Sequence, residues 1–158
     1  MDEQKMGVGS TLPELDAPST HGGFSFSDYK GKVLVVFFYP RNNTPACTQQ
    51  VISFRDHIEE FEKLGVAVVG ISRDNMQSHE AFTKRFALPF ALISDTDERV
   101  CNLFDVLKTK KNYGRTLQGI QRSTFLFDKS GKLAKKWRRV KVEGHIEELL
   151  EVIRNLPA

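Results

Sequence analysis

The strongest constraint on this chain is the run Val-Leu-Val-Val-Phe-Phe-Tyr at residues 33–39, closed by Pro40. Seven consecutive aliphatic and aromatic residues leave no polar face, so a strand made of them must be covered on both sides. Covering both faces calls for helices, and for crossover connections that return the chain parallel to itself. The next segment supplies one. Val51, Phe54, Ile58 and Phe61 recur at three- and four-residue steps, the period of one buried helical face, and the spacing predicts a single helix closed by Gly65. Four residues back along the same stripe stands Cys47. Residues 66–72 repeat the apolar strand pattern, 75–86 read as a helix, 90–94 as a short strand and 95–106 as a short helix. Residues 123–128 and 133–142 read as a hairpin turning at Ser130-Gly131, and 145–156 as a closing amphipathic helix. Residues 9–32, rich in Gly, Ser, Pro and Asp, read as short strands and turns, and the polar, basic residues 107–121 as a long connection. The order implies an α/β fold over residues 1–158 as one domain, with a mixed central sheet and helices on both faces.

Charge and composition narrow the function classes. The 158 residues suffice for one sizeable core, and 40% apolar with 27% charged residues suits a globular chain rather than a disordered one. No apolar run approaches the ~18 residues that span a bilayer, and residues 1–11 carry no apolar block of a secretory signal, so the expectation is a cytoplasmic protein without a membrane partner. A net charge of +3 is too mild for a nucleic-acid binder. Two cysteines, Cys47 and Cys101, are too few for a disulfide scaffold, and no histidine stands at metal-ligand spacing from either. The basic stretches 108–111 and 135–141 keep a non-enzymatic binding module open as an alternative, although a solvated loop and a charge-protected edge strand account for them.

The chemistry concentrates in Pro40-Arg41-Asn42-Asn43-Thr44-Pro45-Ala46-Cys47, where a buried strand hands over to a helix. Pro40 helps end the strand, Thr44 reads as the N-cap, Pro45 as the first helical residue and Cys47 as the third. A thiol there lies near the positive end of the helix dipole, which favours the thiolate. At an unperturbed pKa of ~8.5 only about 3% of a thiol is ionised at pH 7. Lowering the pKa to ~6 raises that roughly thirtyfold. Intrinsic nucleophilicity falls about 10- to 20-fold at the same time, so the net gain is only a few-fold. Fast chemistry at Cys47 therefore also requires hydrogen-bond donors that stabilise charge on a departing atom. Thr44 is one candidate, beside its capping role. Arg122, directly before the strand at 123, is another, although an arginine in that setting is as a rule a surface cation.

The pattern Pro40…Thr44…Cys47, preceded by Phe37-Phe38-Tyr39 and followed by Gly119-Ile120-Gln121-Arg122-Ser123-Thr124-Phe125, resembles the peroxiredoxin active-site signature. The chain is similar to the bacterioferritin-comigratory (PrxQ-type) branch from Gly9 to Leu156. The resemblance implies a thioredoxin-like fold and a thiol-dependent peroxidase that reduces hydrogen peroxide and organic hydroperoxides. Cys47 would be the peroxidatic cysteine, Thr44 and Arg122 would bind the peroxide and steady the thiolate, and Pro40 would shield the sulfur. It implies no cofactor and no metal, a monomer, and a reductant such as thioredoxin or a glutaredoxin/glutathione system.

The sequence departs from the branch in its second thiol. Ile52 stands where many members carry a resolving cysteine, and the helix at 75–86 holds none. Cys101 is the internal candidate, and its plainer reading is a small buried helix residue. The expectation is a one-cysteine cycle in which an outside thiol reduces the Cys47 sulfenic acid. The competing enzyme class, a thioredoxin-fold thiol-disulfide oxidoreductase, requires Cys-x-x-Cys, and Thr44 occupies the first of those positions. A Cys–His hydrolase fails on distance, since His57 lies ten residues, about three helical turns, beyond Cys47.

Overall fold

A computed structural model describes residues 6–157. The long apolar run forms β3 (Val33–Phe38), every residue of it buried. Its odd and even residues serve different cores, as the two-residue period of a strand dictates. The chain opens with the hairpin β1 (Asp16–Ser19) and β2 (Gly22–Ser25) and a 3-10 turn at Phe26–Tyr29. After β3 come α1 (Pro45–Asp56), α2 (Ile58–Lys63), β4 (Val66–Ser72), α3 (Met76–Phe86), β5 (Ala91–Ser94) and α4 (Arg99–Leu103). A separate two-stranded hairpin, β6 (Leu107–Asn112) and β7 (Arg115–Ile120), precedes β8 (Ser123–Phe127), β9 (Leu133–Arg138) and α5 (His145–Arg154).

The central sheet runs β2-β1-β5-β4-β3-β8-β9. β3, β4 and β5 are parallel, whereas β8, β9 and the first hairpin are antiparallel, so the sheet is mixed. Val33, Val35 and Phe37 pack with Val51, Phe54, Phe61 and Phe82, and with Ile146, Leu149, Leu150 and Ile153 of α5. Leu34, Val36 and Phe38 pack on the other face with Phe24, Phe26, Val100, Cys101 and Phe104. Helices therefore cover both faces, as expected, but unequally: α1, α2, α3 and α5 on one, only the five-residue α4 on the other.

One glycine fixes how closely α1 approaches the sheet. Gly70 on β4 lies in register with Phe37, and a Cβ there would come within 2.7 Å of the Phe37 ring. That ring stacks on Phe54 of α1 with centroids 4.3 Å apart. A side chain at position 70 would displace the ring and with it the helix that carries Cys47.

Four expectations are corrected. The single helix up to Gly65 is broken at His57. The His57 ring Nδ1 takes the Ser53 carbonyl at 2.9 Å, the acceptor its own amide would use in a continuous helix, and the amide turns to Phe54 O at 3.2 Å. The supposed connection 107–121 is the hairpin β6–β7, turned by Tyr113 and Gly114, both with positive φ (53° and 77°), the geometry of a two-residue primed turn. Its polar sequence hides it, because alternation marks a strand only where one face enters a core. β9 stops at Arg138 rather than at residue 142, since Arg139 adopts a left-handed φ of 55°. The helix read over 95–106 shrinks to α4, whose first turn is held from outside: Asp95 accepts the amides of Val100 (3.1 Å) and Cys101 (2.7 Å).

Candidate active site

The topology itself brings the signature residues together. β3 runs toward the loop at 39–44 and α1 starts from that loop. β8 is antiparallel to β3, with Ser123 opposite Phe38, so the residue before β8 arrives beside the residues after β3. That residue is Arg122. Its Nη2 donates to Cys47 Sγ at 3.5 Å, and its Nη1 donates to Gln50 Oε1 at 2.5 Å. The Arg122 carbonyl accepts the Val140 amide at 3.0 Å, which anchors the backbone behind the side chain.

Cys47 is the third residue of α1 and only 1% exposed. The apolar stripe runs back to it as the spacing predicts: Cys47, Gln50, Val51 and Phe54 form the buried face of α1. The sulfur thus combines an apolar surround, the N-terminal turn of a twelve-residue helix and a guanidinium in contact. The last two turn positive charge toward the sulfur.

Thr44 occupies the N-cap by backbone (φ −83°, ψ 154°), and its carbonyl accepts the Thr48 amide at 2.9 Å. Its hydroxyl does not cap the helix. It donates to the Arg41 carbonyl at 3.0 Å, because Pro45 at the first position already removes one free amide and the loop offers a nearer acceptor. Pro40, Thr44 and Arg122 line one open cleft of about 1410 Å³. Cys101 is not part of it. It is fully buried in the core on the opposite face of the sheet, and burial and then the neighbouring Asp95 push its thiol well above the ordinary range. Both cysteines are free thiols.

Two contributors escaped the sequence reading. Gln50 is 2% exposed and accepts from Arg122, which aims the guanidinium at the sulfur, while its own Nε2 has no hydrogen-bond partner among the described residues. A polar residue three positions after Cys47, inside an otherwise apolar helical stripe, was the available signal. The second is the frame of the loop. Asn42 accepts from Tyr39 Oη at 2.7 Å, and its amide donates to Asp74 at 3.0 Å. Asn42 Nδ2 donates to Ser78 Oγ and to His79 Nδ1, both at 3.0 Å. His79 Nε2 donates to the Ile93 carbonyl at 3.0 Å, and burial keeps this ring neutral by lowering its pKa. These bonds tie the loop to β4, β5 and α3, elements 32 to 37 residues further along the chain at the Asp74, Ser78 and His79 contacts. Among the described residues no group of three His, Cys, Asp or Glu side chains could hold a metal ion, and no helix is long and apolar enough to cross a membrane.

Residues 8–136 match the model of the AhpC/TSA family. The chain is 42% identical over 150 residues to peroxiredoxin Bcp of Bacillus subtilis, covering 94% of this chain and 96% of that protein. It is 40% identical over 154 residues to the chloroplastic peroxiredoxin Q of Sedum lineare, covering 96% and 80%. Its fold superimposes with a TM-score of 0.88 on the bacterioferritin comigratory protein of Xanthomonas campestris, at 36% identity over 94% of this chain and 98% of that one, in a structure describing trapped intermediate and ligand complexes of alkyl peroxide reduction.

Proposed function

As a member of the AhpC/TSA family in its Bcp/PrxQ branch, we propose, the chain is a thiol-dependent peroxidase that reduces hydrogen peroxide and organic hydroperoxides at Cys47. The observation that carries this reading is the Arg122 guanidinium, held by Gln50 with its second nitrogen 3.5 Å from the sulfur. In the proposed reaction the Cys47 thiolate attacks the terminal peroxide oxygen. The O–O bond breaks, the sulfur becomes a sulfenic acid, and the other oxygen leaves as water or an alcohol after taking a proton. Arg122 faces the charge that moves from sulfur to the departing oxygen, the role in which preorganised donors contribute most. Thr44 supplies a hydroxyl at the cleft, and Pro40 bounds the mouth through which the peroxide enters.

A thiol donor such as thioredoxin closes the cycle. The two cysteines belong to cores on opposite faces of the sheet, and a disulfide needs Cα atoms within ~7 Å. Their separation favours a one-cysteine cycle with an external thiol over resolution by Cys101. The test is one equivalent of hydrogen peroxide followed by dimedone and peptide mass spectrometry. A dimedone adduct at Cys47 and none at Cys101 is expected. Peroxide consumption with no adduct at Cys47, or with a Cys47–Cys101 crosslink in its place, would refute the corresponding part of the scheme.

A further inference from the structure

The mild net charge of +3 is an average over two unequal parts. Residues 107–141 hold twelve lysines and arginines against one acidic residue, Asp128, whereas the other 123 residues hold eleven basic and nineteen acidic ones. The electric field at a surface depends on where charges stand and not on their sum. The fold brings the basic stretches 108–111 and 135–141 together. Arg138 of β9 donates to the carbonyls of Phe104 and Asp105, just before β6, and Lys108, Arg138 and Arg139 line one cleft. Lys136, two residues before Arg138, shares its face of the strand. Bonds to neutral carbonyls leave the Arg138 charge uncancelled. Among the described residues the segment makes one ion pair, Lys108 with Asp105 at 3.5 Å. Much of the acidic excess stands on the other face of the sheet, as Glu59, Glu60 and Glu62 of α2 and Glu147, Glu148 and Glu151 of α5.

The β6–β7 hairpin adds a shape to this charge. Val106, Leu107 and Ile120 fasten its base to the core, it pairs with no strand of the central sheet, and Tyr113 at its tip is 96% exposed. Six paired residues on each strand, at about 3.3 Å per residue, make an arm roughly 20 Å long. A two-stranded ribbon fits the major groove of a DNA duplex. Among the described residues the exposed large hydrophobics are Val8 and Tyr113. The basic surface therefore offers neither the apolar core of a protein interface nor the apolar face that enters a bilayer.

We propose that the β6–β7 ribbon, together with Lys136 and Arg139 of β9 and the residue after it, binds double-stranded DNA through its phosphate backbone, without regard to base sequence. This surface is separate from the peroxide chemistry. Lysines and arginines of the ribbon and of β9 neutralise phosphates, and the exposed Thr109, Thr116 and Gln118 of the ribbon are residue types that add neutral hydrogen bonds to them.

The test is fluorescence anisotropy of a labelled duplex of about 20 base pairs, titrated with the full chain across a salt series. A Kd of about 10 μM is expected at about 0.05 M salt, weakening with a log–log slope of about −4, the release expected from four to five neutralised phosphates. Lys110→Glu/Lys111→Glu on the ribbon and Lys136→Glu/Arg139→Glu at β9 are each expected to weaken binding about tenfold or more and to flatten the slope by about 2. Lys63→Glu/Lys84→Glu changes the net charge equally, on exposed residues of α2 and α3, and is expected to keep the affinity within about threefold. A Kd above about 1 mM at the lowest salt overturns the proposal, as does a slope shallower than about −1 or an equal loss in all three variants. A single strand of the same length bound more tightly than the duplex also overturns it. Tighter binding to vesicles containing phosphatidylserine, or to poly-glutamate, does so too, and assigns the surface to a membrane or to an acidic protein. The salt slope of the wild type decides the matter should the variants prove unfolded by circular dichroism. Peroxide oxidation of Cys47 is measured on the same wild-type sample, so loss of this inference leaves the peroxidase reading standing and an unreactive Cys47 sinks only the latter.

Discussion

Cys47 and Cys101 occupy the same kind of place with opposite electrostatics. Each is the third residue of a helix, and each is almost wholly buried, at 1% and 0% exposure. Cys47 faces the Arg122 guanidinium, whereas Cys101 gives its backbone amide to the Asp95 carboxylate, itself 2% exposed, and its thiol is pushed up by burial and by that carboxylate. A place in the first turn of a helix is therefore common to both sulfurs, and what separates them is the charge that the rest of the fold brings against each, since in an apolar surround the field of one nearby ion exceeds that of a helix end.

The comparison is broken most directly by exchanging the two thiols for hydroxyls. Cys47→Ser is expected to abolish peroxide turnover and Cys101→Ser to retain it, measured with the same thiol donor. Retained activity in the first, or abolished activity in a folded second, would remove the distinction. Arg122→Ala leaves the helix end and the burial of Cys47 in place and removes only the facing cation. The second-order rate of Cys47 oxidation is expected to fall about 100- to 1000-fold, the usual cost of losing a preorganised donor. A fall of less than about threefold would return the credit to the helix.

Gln50→Ala sharpens the same point, since Arg122 remains but loses its brace. Misaiming the guanidinium is expected to slow oxidation about tenfold. Gln50→Glu can still accept from Arg122 but sets a carboxylate against the guanidinium that faces the sulfur, and it is expected not to recover the rate. A loss of thermal stability with an unchanged oxidation rate would show that Gln50 only packs. The smallest effect is on stability. His79, which braces the Cys47 loop, and His145, which bonds Thr124 Oγ1 at 2.9 Å, are both held neutral chiefly by burial, with folded pKa values below the ordinary 6.5. The unfolded chain then binds protons first as pH drops, so their contribution is complete above about pH 6.5 and is lost as pH falls below it through the folded values. Thermal unfolding between pH 7.5 and 5 should show a declining midpoint in this window, flatter in His79→Gln. A slope identical to the wild type would remove His79 as a source.

Much of this was legible in the sequence because it is local. The run at 33–39 dictated a strand buried on both sides, the stripe from Cys47 to Phe54 dictated α1, and Thr44-Pro45 fixed where that helix begins. The β6–β7 hairpin was not legible, since only Leu107 and Ile120, paired at its base, reach the core, too few to show an apolar alternation. The break at His57 depends on one ring competing with one amide, which no periodicity reports.

By itself the sequence determined the α/β order, the helix that carries Cys47 and the residue types a peroxide site needs, all of them encoded within a few neighbouring positions. Only the tertiary structure decided which cation meets which cysteine. Arg122 lies 75 positions from Cys47, and antiparallel pairing of β8 with β3 is what brings them together. The same sheet separates Cys101 from Cys47, because α1 packs on one of its faces and α4 on the other.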